Sequence, residues 1–267
     1  MKKIAYIVGS NSKESLSPEI FNYWFKQNNI NAEYLYKEIN PLNFDNEIEE
    51  VLKQKNVCGF NVTIPYKELI IDKINNTDVH SRSIGAVNCV SYLKNKWIGK
   101  NTDWVGFLRS INHKNFKTKK DVAIVIGYGG AAKAVVYALK KKGFKKIKIF
   151  NRSTEKTKIL NKQLGISSYG LESLERHLKN SNLIVNTTPV DVIKSSKSLK
   201  NLKNPVVFDI VYNPKETGFL SHFTKNKRLY GISMLLHQAI PCFEEWFGIR
   251  PKIDKKLLTH LDKLISQ

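Results

Sequence analysis

Apolar runs alternate with amphipathic stretches along the whole chain, a pattern typical of α/β proteins. In the first hundred residues the apolar runs predict four strands, at residues 4–8, 33–39, 57–64 and 87–93, with Trp97 and Ile98 pairing back on the fourth. Ser17-Pro18-Glu19 predicts a helix with Ser17 as its N-cap and Pro18 at the first helical position. Residues 48–55 are amphipathic and predict a second helix.

The second half of the chain continues the alternation. A helix at residues 104–110 links the two halves, and a helical pattern rich in aromatic residues runs from Ser233 onward. Strands are predicted at residues 122–126, 146–150, 183–186, 206–209 and 229–231. Such alternation implies mostly parallel sheets joined by crossover helices, so we expect two α/β domains with a cleft between them.

A glycine turn at residues 127–131, Gly-Tyr-Gly-Gly-Ala, lies between a predicted strand and a predicted helix. This order is typical of a dinucleotide-binding unit, where the glycines and the helix N-terminus receive a pyrophosphate, although an ordinary βα turn has the same local form. The next strand ends at Asn151-Arg152-Ser153, where the ribose-reading residue is expected. Because a guanidinium pairs well with phosphate, Arg152 favours NADP(H) over NAD(H), unless it is only a surface charge.

Two polar motifs of the first half stand where a parallel sheet binds ligands. Residues 61–67, Asn-Val-Thr-Ile-Pro-Tyr-Lys, end the third predicted strand. Lys67 is there either a proton donor and electrostatic anchor or a surface lysine in a lysine-rich chain. Asp103 precedes the linking helix, where it is either an N-cap, like its neighbour Thr102, or a partner of Lys67.

Other hydroxyl and amide side chains allow both a binding and a structural interpretation. Ser15 and Ser17 stand near a helix N-terminus and suit a substrate carboxylate, or serve only as a cap motif. Asn88 is a ligand for a hydroxyl group or a turn residue, and Gln238 is such a ligand or an exposed helix residue. His237 is interpreted as structural, because no neighbour in the sequence would orient it as a base.

Composition narrows the classes of protein that the chain can belong to. The 44 basic and 23 acidic residues give a net charge of +21, which alone favours a nucleic-acid-binding protein. The lysines are spread along the chain without a recognition motif, so we expect no nucleic-acid partner. Cys58, Cys89 and Cys242 have no metal-ligand spacing, which predicts reduced core thiols and no metal. We find no signal peptide or bilayer-spanning run, and therefore expect a cytoplasmic protein without a membrane partner.

Eight short motifs follow one another along the chain. They are Ser-Leu-Ser-Pro (15–18), residues 61–67, Gly-Ala-Val-Asn (85–88), Asn-Thr-Asp-x-x-Gly (101–106), Gly-x-Gly-Gly-Ala (127–131), Asn-Arg-Ser (151–153), Asp-x-Val-Tyr-Asn-Pro (209–214) and Gly-x-x-Met-Leu-x-x-Gln-Ala (231–239). Each motif is weak alone, but the eight together are specific. In them the chain resembles the shikimate dehydrogenase family over nearly its full length, from Gly9 to Trp246.

The resemblance implies both a fold and a reaction. It implies an N-terminal α/β substrate domain at residues 1–110, completed by C-terminal helices at 235–267, and a Rossmann-like NADP-binding domain at 111–234. The implied enzyme is an NADP-dependent oxidoreductase acting on a CH–OH group, which reversibly reduces 3-dehydroshikimate to shikimate with NADPH, in the shikimate pathway of aromatic amino acid biosynthesis. Its partners would be small molecules, and it would be a monomer or a homodimer.

The resemblance also implies roles for individual residues. Lys67 and Asp103 match the catalytic pair of the family. The matches to substrate contacts are Ser15, Ser17, Thr63, Asn88, Tyr212 and Gln238. The matches to cofactor contacts are Gly127, Gly129, Gly130, Ala131, Asn151, Arg152, Ser153, Lys156, Gly231 and Met234.

The chain departs from the expected family pattern at two positions, and two alternative functions stay open. Tyr128 replaces a small residue of the glycine turn and should point outward, and Asp191 replaces a glycine, so that its charge would crowd or repel the cofactor.

The first alternative function is that of a quinate/shikimate dehydrogenase that uses NAD or NADP. The second is a non-catalytic NADP-binding sensor, which the presence of Lys67 and Asp103 disfavours.

Overall fold

The structure is a computed structural model, and it describes residues 1–112, 119–153, 165–193, 199, 202 and 204–266. The chain divides into two compact units. Unit 1 consists of Met1–Val105 and Leu235–Leu264, and unit 2 consists of Gly106–Met234 and Ile265–Gln267. Each unit contains one six-stranded sheet among the described residues, so the predicted fold class, two α/β halves, is confirmed.

The sheet of unit 1 is mixed. Its strands are β1 (Lys3–Gly9), β2 (Ala32–Glu38), β3 (Val57–Val62), β4 (Asn76–Thr77), β5 (Cys89–Leu93) and β6 (Lys96–Lys100). They lie in the order β2-β1-β3-β5-β6-β4. β1 is parallel to β2 and β3, with Lys3 opposite Ala32, whereas β5 is antiparallel to both β3 and β6. The prediction that Trp97 and Ile98 pair back on the preceding strand is thus confirmed.

The helices of unit 1 cover both faces of this sheet. They are α1 (Ser17–Gln27), α2 (Phe44–Lys53), α3 (Val79–Ile84), the start of α4 (Asp103–Asn112), most of α8 (Gly231–Phe247) and nearly all of α9 (Lys255–Ile265). On one face, Ile48 and Val51 of α2 pack in a cluster with Phe60. On the other, Phe21 of α1 stacks on Tyr34 and contacts Phe243 of α8. Burial of these large side chains is the main contribution to the stability of the unit.

Helix α1 begins one residue earlier than predicted. Ser17 is its first residue and Pro18 its second, so the assignment of Ser17 as N-cap is wrong. The preceding residue is Leu16, which supplies no capping side chain. Instead, the Ser17 N–H donates to Ser15 Oγ at 3.2 Å, and this bond satisfies an amide that the helix itself leaves without a partner.

The sheet of unit 2 is entirely parallel. Its strands are β7 (Val122–Ile126), β8 (Lys146–Asn151), β9 (Ser167–Gly170), β10 (Leu183–Asn186), β11 (Val206–Asp209) and β12 (Arg228–Tyr230). Their order is β12-β11-β10-β7-β8-β9, which is that of a dinucleotide-binding fold. The chain moves outward from β7 to β9 and then returns to the other side of β7 at β10. The topological switch point therefore lies between β7 and β10.

Helix α5 (Gly130–Lys142) shows why the sequence folds locally as it does. Gly129 caps its start, a run of alanine and valine fills its buried face, and three lysines in the last turn complement the helix dipole. Gly143 ends it with a φ of +84°, a conformation that favours glycine. Two further short helices, α6 (Leu174–Leu178) and α7 (Gly218–Ser221), belong to the same unit.

Within the described ranges, none of the helices combines the length and the apolar character that crossing a membrane requires.

Candidate active site

Lys67 and Asp103 form a close pair within unit 1. Lys67 lies in the loop after β3, and Asp103 is the first residue of α4. The distance between Lys67 Nζ and Asp103 Oδ2 is 2.6 Å, and their side chains are only 14% and 6% exposed. A charge pair so well shielded from water is held in one geometry, and removal of one partner would leave an uncompensated buried charge.

The residues around Lys67 anchor its loop. The buried ring of Tyr66 stacks on Phe44 at 4.4 Å between ring centroids, and its hydroxyl donates to the Ile39 carbonyl. The Lys67 carbonyl accepts the Val87 N–H at 2.7 Å. Because Tyr66 is packed and the carbonyl of Lys67 itself is bonded, Lys67 can reach Asp103 without ordering a free loop, which lowers the entropy cost of the pair.

Asp103 is in turn held by a buried network of amide and hydroxyl groups. Asn88 Nδ2 donates to Asp103 Oδ1 at 2.9 Å and to Gln238 Oε1 at 3.0 Å. Asn88 Oδ1 accepts the Thr102 N–H at 2.6 Å, which fixes the orientation of the amide. The structure thus brings together four of the residues expected from the sequence, Lys67, Asp103, Asn88 and Gln238.

Sequence reasoning missed two members of this network. The Thr102 side chain, treated only as a possible cap, lies 2.9 Å from Asn88 Nδ2 and 3.3 Å from Gln238 Oε1. Cys242, treated only as a core thiol, lies 3.3 Å from Thr102 Oγ1. The position of Thr102 inside the Asn-Thr-Asp motif was a usable signal, but no feature of the sequence near Cys242 pointed to the site.

Ser15 and Ser17 form a pair of their own, with 3.1 Å between their hydroxyl oxygens. Thr63 follows β3, and its N–H donates to Val8 of the neighbouring β1 at 2.8 Å. Close packing accompanies this contact, because a Cβ at Gly9 would lie 2.3 Å from Thr63 Cγ2. The serine loop and the Thr63 loop therefore follow adjacent parallel strands, at the carboxyl edge where such sheets bind ligands.

The glycine turn of unit 2 fits a phosphate group. Gly127 has a φ of +111°, and a Cβ there would lie 2.4 Å from Thr187 Oγ1, so a larger residue is excluded. Among the described residues beyond its chain neighbours, no atom lies within 4 Å of a Cβ built on Gly129, and no side chain caps the start of α5. An uncapped helix N-terminus after a glycine turn, with the amides of Gly130 and Ala131 in its first turn, suits an anion.

The other expected cofactor residues are distributed over unit 2. Asn151, at the end of β8, donates to the Ser153 carbonyl at 3.0 Å, and Arg152 and Ser153 are exposed. Lys156 lies outside the described residues. Tyr212 follows β11 and is half-buried, while Gly231 and the buried Met234 stand in the first turn of α8.

Gly231 is packed so closely that only glycine fits. A Cβ there would lie 2.2 Å from the Ile210 carbonyl oxygen. The first turn of α8 therefore rests directly on the loop that follows β11 and carries Tyr212.

Family models match most of the chain. Residues 7–90 match the model described as "Shikimate dehydrogenase substrate binding domain", and residues 110–232 match "Shikimate / quinate 5-dehydrogenase". A shikimate dehydrogenase (NADP(+)) of Bartonella henselae is 37% identical over an alignment of 271 positions, gaps included, which covers 96% of this chain and 92% of the relative. The chain belongs to the shikimate dehydrogenase family.

Further relatives agree with this assignment. A shikimate dehydrogenase (NADP(+)) of Clostridium botulinum is 37% identical over 249 residues, covering 90% of this chain and 95% of the relative. The crystal structure of the shikimate dehydrogenase from Aquifex aeolicus has a TM-score of 0.85 at 34% identity, with 97% of each chain covered. A shikimate dehydrogenase solved in complex with NADP+ has a TM-score of 0.86 at 30% identity, covering 98% of this chain and 96% of that one.

Tyr128 and Asp191, the two residues expected from the sequence to depart from the family pattern, have local partners in unit 2. The Tyr128 ring lies 5.3 Å from Lys133 Nζ of α5, a cation–π distance. Asp191 Oδ2 lies 2.8 Å from His222 Nε2, and Asp191 Oδ1 accepts the Ile193 N–H at 3.0 Å. Asp191 is therefore bound within its own unit.

Asp209 is a buried carboxylate at the carboxyl end of β11. It accepts hydrogen bonds from Thr217 Oγ1 at 2.7 Å, the Val211 N–H at 3.0 Å and Asn186 Nδ2 at 3.1 Å. Burial raises the pKa of Asp209, and the three hydrogen bonds oppose that shift because they favour the charged form. The network ties the loops after β10 and β11 together.

The cysteines and possible metal ligands do not form a second centre among the described residues. All three cysteines are free, although Cys58 is only partly buried, not a full core thiol. Burial raises the pKa of the Cys58 thiol to about 11 and that of Cys89 well above its usual range. Neutral thiols are poor nucleophiles. No cluster of three or more metal-binding side chains occurs in the described part of the chain.

Proposed function

We propose that this protein is a shikimate dehydrogenase, an NADP-dependent oxidoreductase that reversibly reduces 3-dehydroshikimate to shikimate in aromatic amino acid biosynthesis. The observation that carries the proposal is the buried Lys67–Asp103 pair at 2.6 Å, in a chain of this family. An ammonium group held at the carboxyl edge of a sheet suits a reaction in which charge develops on a ketone oxygen. The mechanism follows from the groups around that pair.

Lys67 is the proposed acid catalyst. When bound, the reduced nicotinamide supplies the hydride that adds to the ketone carbon. Negative charge then grows on the ketone oxygen, which Lys67 stabilises through its Nζ–H and to which it transfers a proton as the C–O double bond becomes a CH–OH group. In the reverse direction Lys67 Nζ takes that proton back. Asp103 holds Lys67 in place by accepting its hydrogen bond, and Asn88 holds Asp103.

The substrate would be bound mainly by hydroxyl and amide groups of unit 1. Ser15 and Ser17, whose hydroxyls are 3.1 Å apart, suit the two oxygens of the carboxylate. We assign the ring hydroxyls of the substrate to Thr63, Asn88 and Gln238, with Tyr212 of unit 2 as a further contact. Because each polar ligand group then meets a partner, a compound that lacks one of them should bind much more weakly.

The cofactor would be bound by unit 2. The glycine turn, with Gly127, Gly129 and the amides of Gly130 and Ala131, suits the pyrophosphate. Asn151, Arg152, Ser153 and Lys156 are assigned to the 2′-phosphate and the adenosine ribose, and Gly231 and Met234 to the nicotinamide. On this proposal residues 1–110 and 235–267 form the substrate domain and residues 111–234 the NADP-binding domain, a division close to the two compact units.

The proposal includes a cytoplasmic location and a monomer or homodimer. Three free cysteines suit a reducing compartment. Light scattering coupled to size exclusion distinguishes a monomer from a dimer of this 30.7 kDa chain.

The test is an absorbance assay at the nicotinamide band with purified protein. Shikimate with NADP+ should give a steady rise, and 3-dehydroshikimate with NADPH a fall. Running quinate and NAD+ in parallel distinguishes the alternative, a quinate/shikimate dehydrogenase, which would oxidise both acids. No change with either acid and either cofactor, from protein shown to be folded by circular dichroism, would contradict the proposal.

A further inference from the structure

The loop after β10, residues 187–193, lies beside the glycine turn. The Thr187 N–H and Oγ1 both donate to the Ile126 carbonyl at the end of β7, at 2.9 and 2.6 Å. Since the switch point of the sheet lies between β7 and β10, this loop and the glycine turn flank the crevice where such folds bind a dinucleotide.

The loop carries an acid at an unfavourable place. Asp191 is the one carboxylate among the described residues of the three loops that follow β7, β8 and β10, at 127–130, 151–153 and 187–193. A dinucleotide carries several negative phosphate charges, so an aspartate facing the crevice would weaken its binding by Coulomb repulsion. The side chain of Asp191 is 33% exposed, which leaves it only partly screened by water.

The contacts of Asp191 turn it toward α7 instead. Its Oδ2 lies 2.8 Å from His222 Nε2, just past the end of α7, and a Cβ built on Gly218 would meet the same oxygen at 3.2 Å. Its Oδ1 accepts the Ile193 N–H at 3.0 Å. Both oxygens are therefore engaged, Oδ2 by the residue just past α7 and Oδ1 by the backbone of its own loop.

We infer that the Asp191–His222 pair keeps the Asp191 carboxylate turned away from the phosphates, and that His222 is a positioning residue for cofactor affinity in this chain. The inference rests on the proposed NADP-dependent function, because it concerns the same site. His222 acts through Asp191, which it holds by donating the Nε2 hydrogen.

The experiment measures the dissociation constants of NADPH and NADH by fluorescence titration, independently of turnover. His222→Phe keeps an aromatic ring at this position but loses the N–H donor. We expect NADPH and NADH to bind about fivefold more weakly to this variant, each by the same factor, because the pyrophosphate is common to both. His222→Gln keeps a donor and should bind like the wild type. The double variant Asp191→Asn with His222→Phe should recover wild-type affinity, since it removes the charge.

The controls separate this charge effect from a loss of structure. His260→Phe removes a similar pair, His260 with Glu19 at 2.8 Å on unit 1, and should leave NADPH binding unchanged. If His222→Phe does not fold, His222→Ala takes its place with the same double variant. Unchanged NADPH binding in the single variant, or weak binding that persists in the double variant, would overturn the inference. A wild-type protein that binds no NADPH at all would instead contradict the proposed function itself.

Discussion

At the scale of single residues, the Lys67–Asp103 pair carries two opposite charges that are both largely shielded from water. The side chains of Lys67 and Asp103 are only 14% and 6% exposed, so water can do little to stabilise either charge alone. Separating the two groups is therefore costly. Asn88 also donates to Asp103, so the carboxylate keeps one hydrogen bond if Lys67 is removed, but its charge is then uncompensated. Substitution of Lys67 should therefore lower the stability of the protein as well as its activity, and the fold of each Lys67 variant is checked by circular dichroism.

Lys67→Ala should lower kcat for shikimate oxidation by about 10² to 10⁴, the usual contribution of acid–base catalysis, with a smaller change in KM. Steady-state kinetics at saturating NADP+ measure both constants. Lys37→Ala is the matched control, because Lys37 pairs with Glu47 at 2.8 Å in the same unit without belonging to the site. A loss of kcat below tenfold in Lys67→Ala would rule out the catalytic role.

Arg152→Ala should weaken binding of NADPH far more than that of NADH, because only NADPH carries the 2′-phosphate that a guanidinium can bind in a bidentate manner. We expect about a tenfold or larger rise in the dissociation constant of NADPH, which corresponds to one charge-assisted hydrogen bond or more. Arg176, another exposed arginine of unit 2, serves as the control. Equal losses for the two cofactors would contradict the assignment of Arg152.

At the scale of whole elements, the accuracy of sequence reasoning followed the strength of the local signal. Strand β7 was predicted at its observed residues, and a helix was correctly predicted after the glycine turn, because an apolar run, a glycine turn and an alanine-rich stretch stand together. Strand β9 was missed, since its residues, Ser167–Gly170, are polar at one end and are ordered by pairing with β8 at the edge of the sheet.

One missed element did carry a local signal. Helix α3 is preceded by its N-cap Asp78, whose side chain accepts the Ser81 N–H at 2.7 Å, and it is followed by Gly85 with a φ of +71°. Both are standard helix boundaries in a sequence. By contrast, no local signal joins Asn88 to Gln238, 150 positions further along the chain. Only the family motifs predicted that these two residues serve one site.

The contact of β3 with α8 leads to a prediction for Gly59. A Cβ at Gly59 would lie 2.2 Å from Trp246 Nε1, which donates to the Val90 carbonyl and to Ser91 Oγ, each at 3.1 Å. Gly59→Ala should therefore lower the free energy of unfolding by about 1–3 kcal/mol, as overpacking of a core does. Urea unfolding followed by circular dichroism measures it.

A double-variant cycle tests the cause of that loss. Trp246→Ala removes the clashing ring, so Gly59→Ala should cost less in that background than in the wild type. Equal costs in the two backgrounds would show that Trp246 is not the reason why glycine is required.

At the scale of the whole molecule, each unit has its own sheet and core, and the optical probes are divided unevenly between the units. All four tryptophans of the sequence, Trp24, Trp97, Trp104 and Trp246, belong to unit 1. The proposed substrate residues belong to unit 1 as well, apart from Tyr212. Tryptophan fluorescence therefore reports on the unit to which the substrate is proposed to bind.

Shikimate without cofactor should stabilise folded unit 1 and shift its urea unfolding midpoint, followed by tryptophan fluorescence, to a higher concentration. A ligand at 100 times its dissociation constant adds about 2.7 kcal/mol to the free energy of unfolding. The methyl ester of shikimate, which lacks the free carboxylate, should give a much smaller shift. If shikimate and its ester shift the urea midpoint equally, Ser15 and Ser17 do not bind a carboxylate.

Unit 1 draws on both ends of the chain, and this has a consequence for protein synthesis. The ribosome releases residues 235–264 only after residues 106–234, so Gln238 reaches Asn88, and Trp246 reaches Gly59, only after most of unit 2 has been made. Until then the aromatic face around Phe21 and Tyr34 lacks its covering helix α8. A chain truncated before Gly231 would keep residues 106–230 of unit 2, but its unit 1 would expose this aromatic face, so we expect it to aggregate and to turn over no substrate.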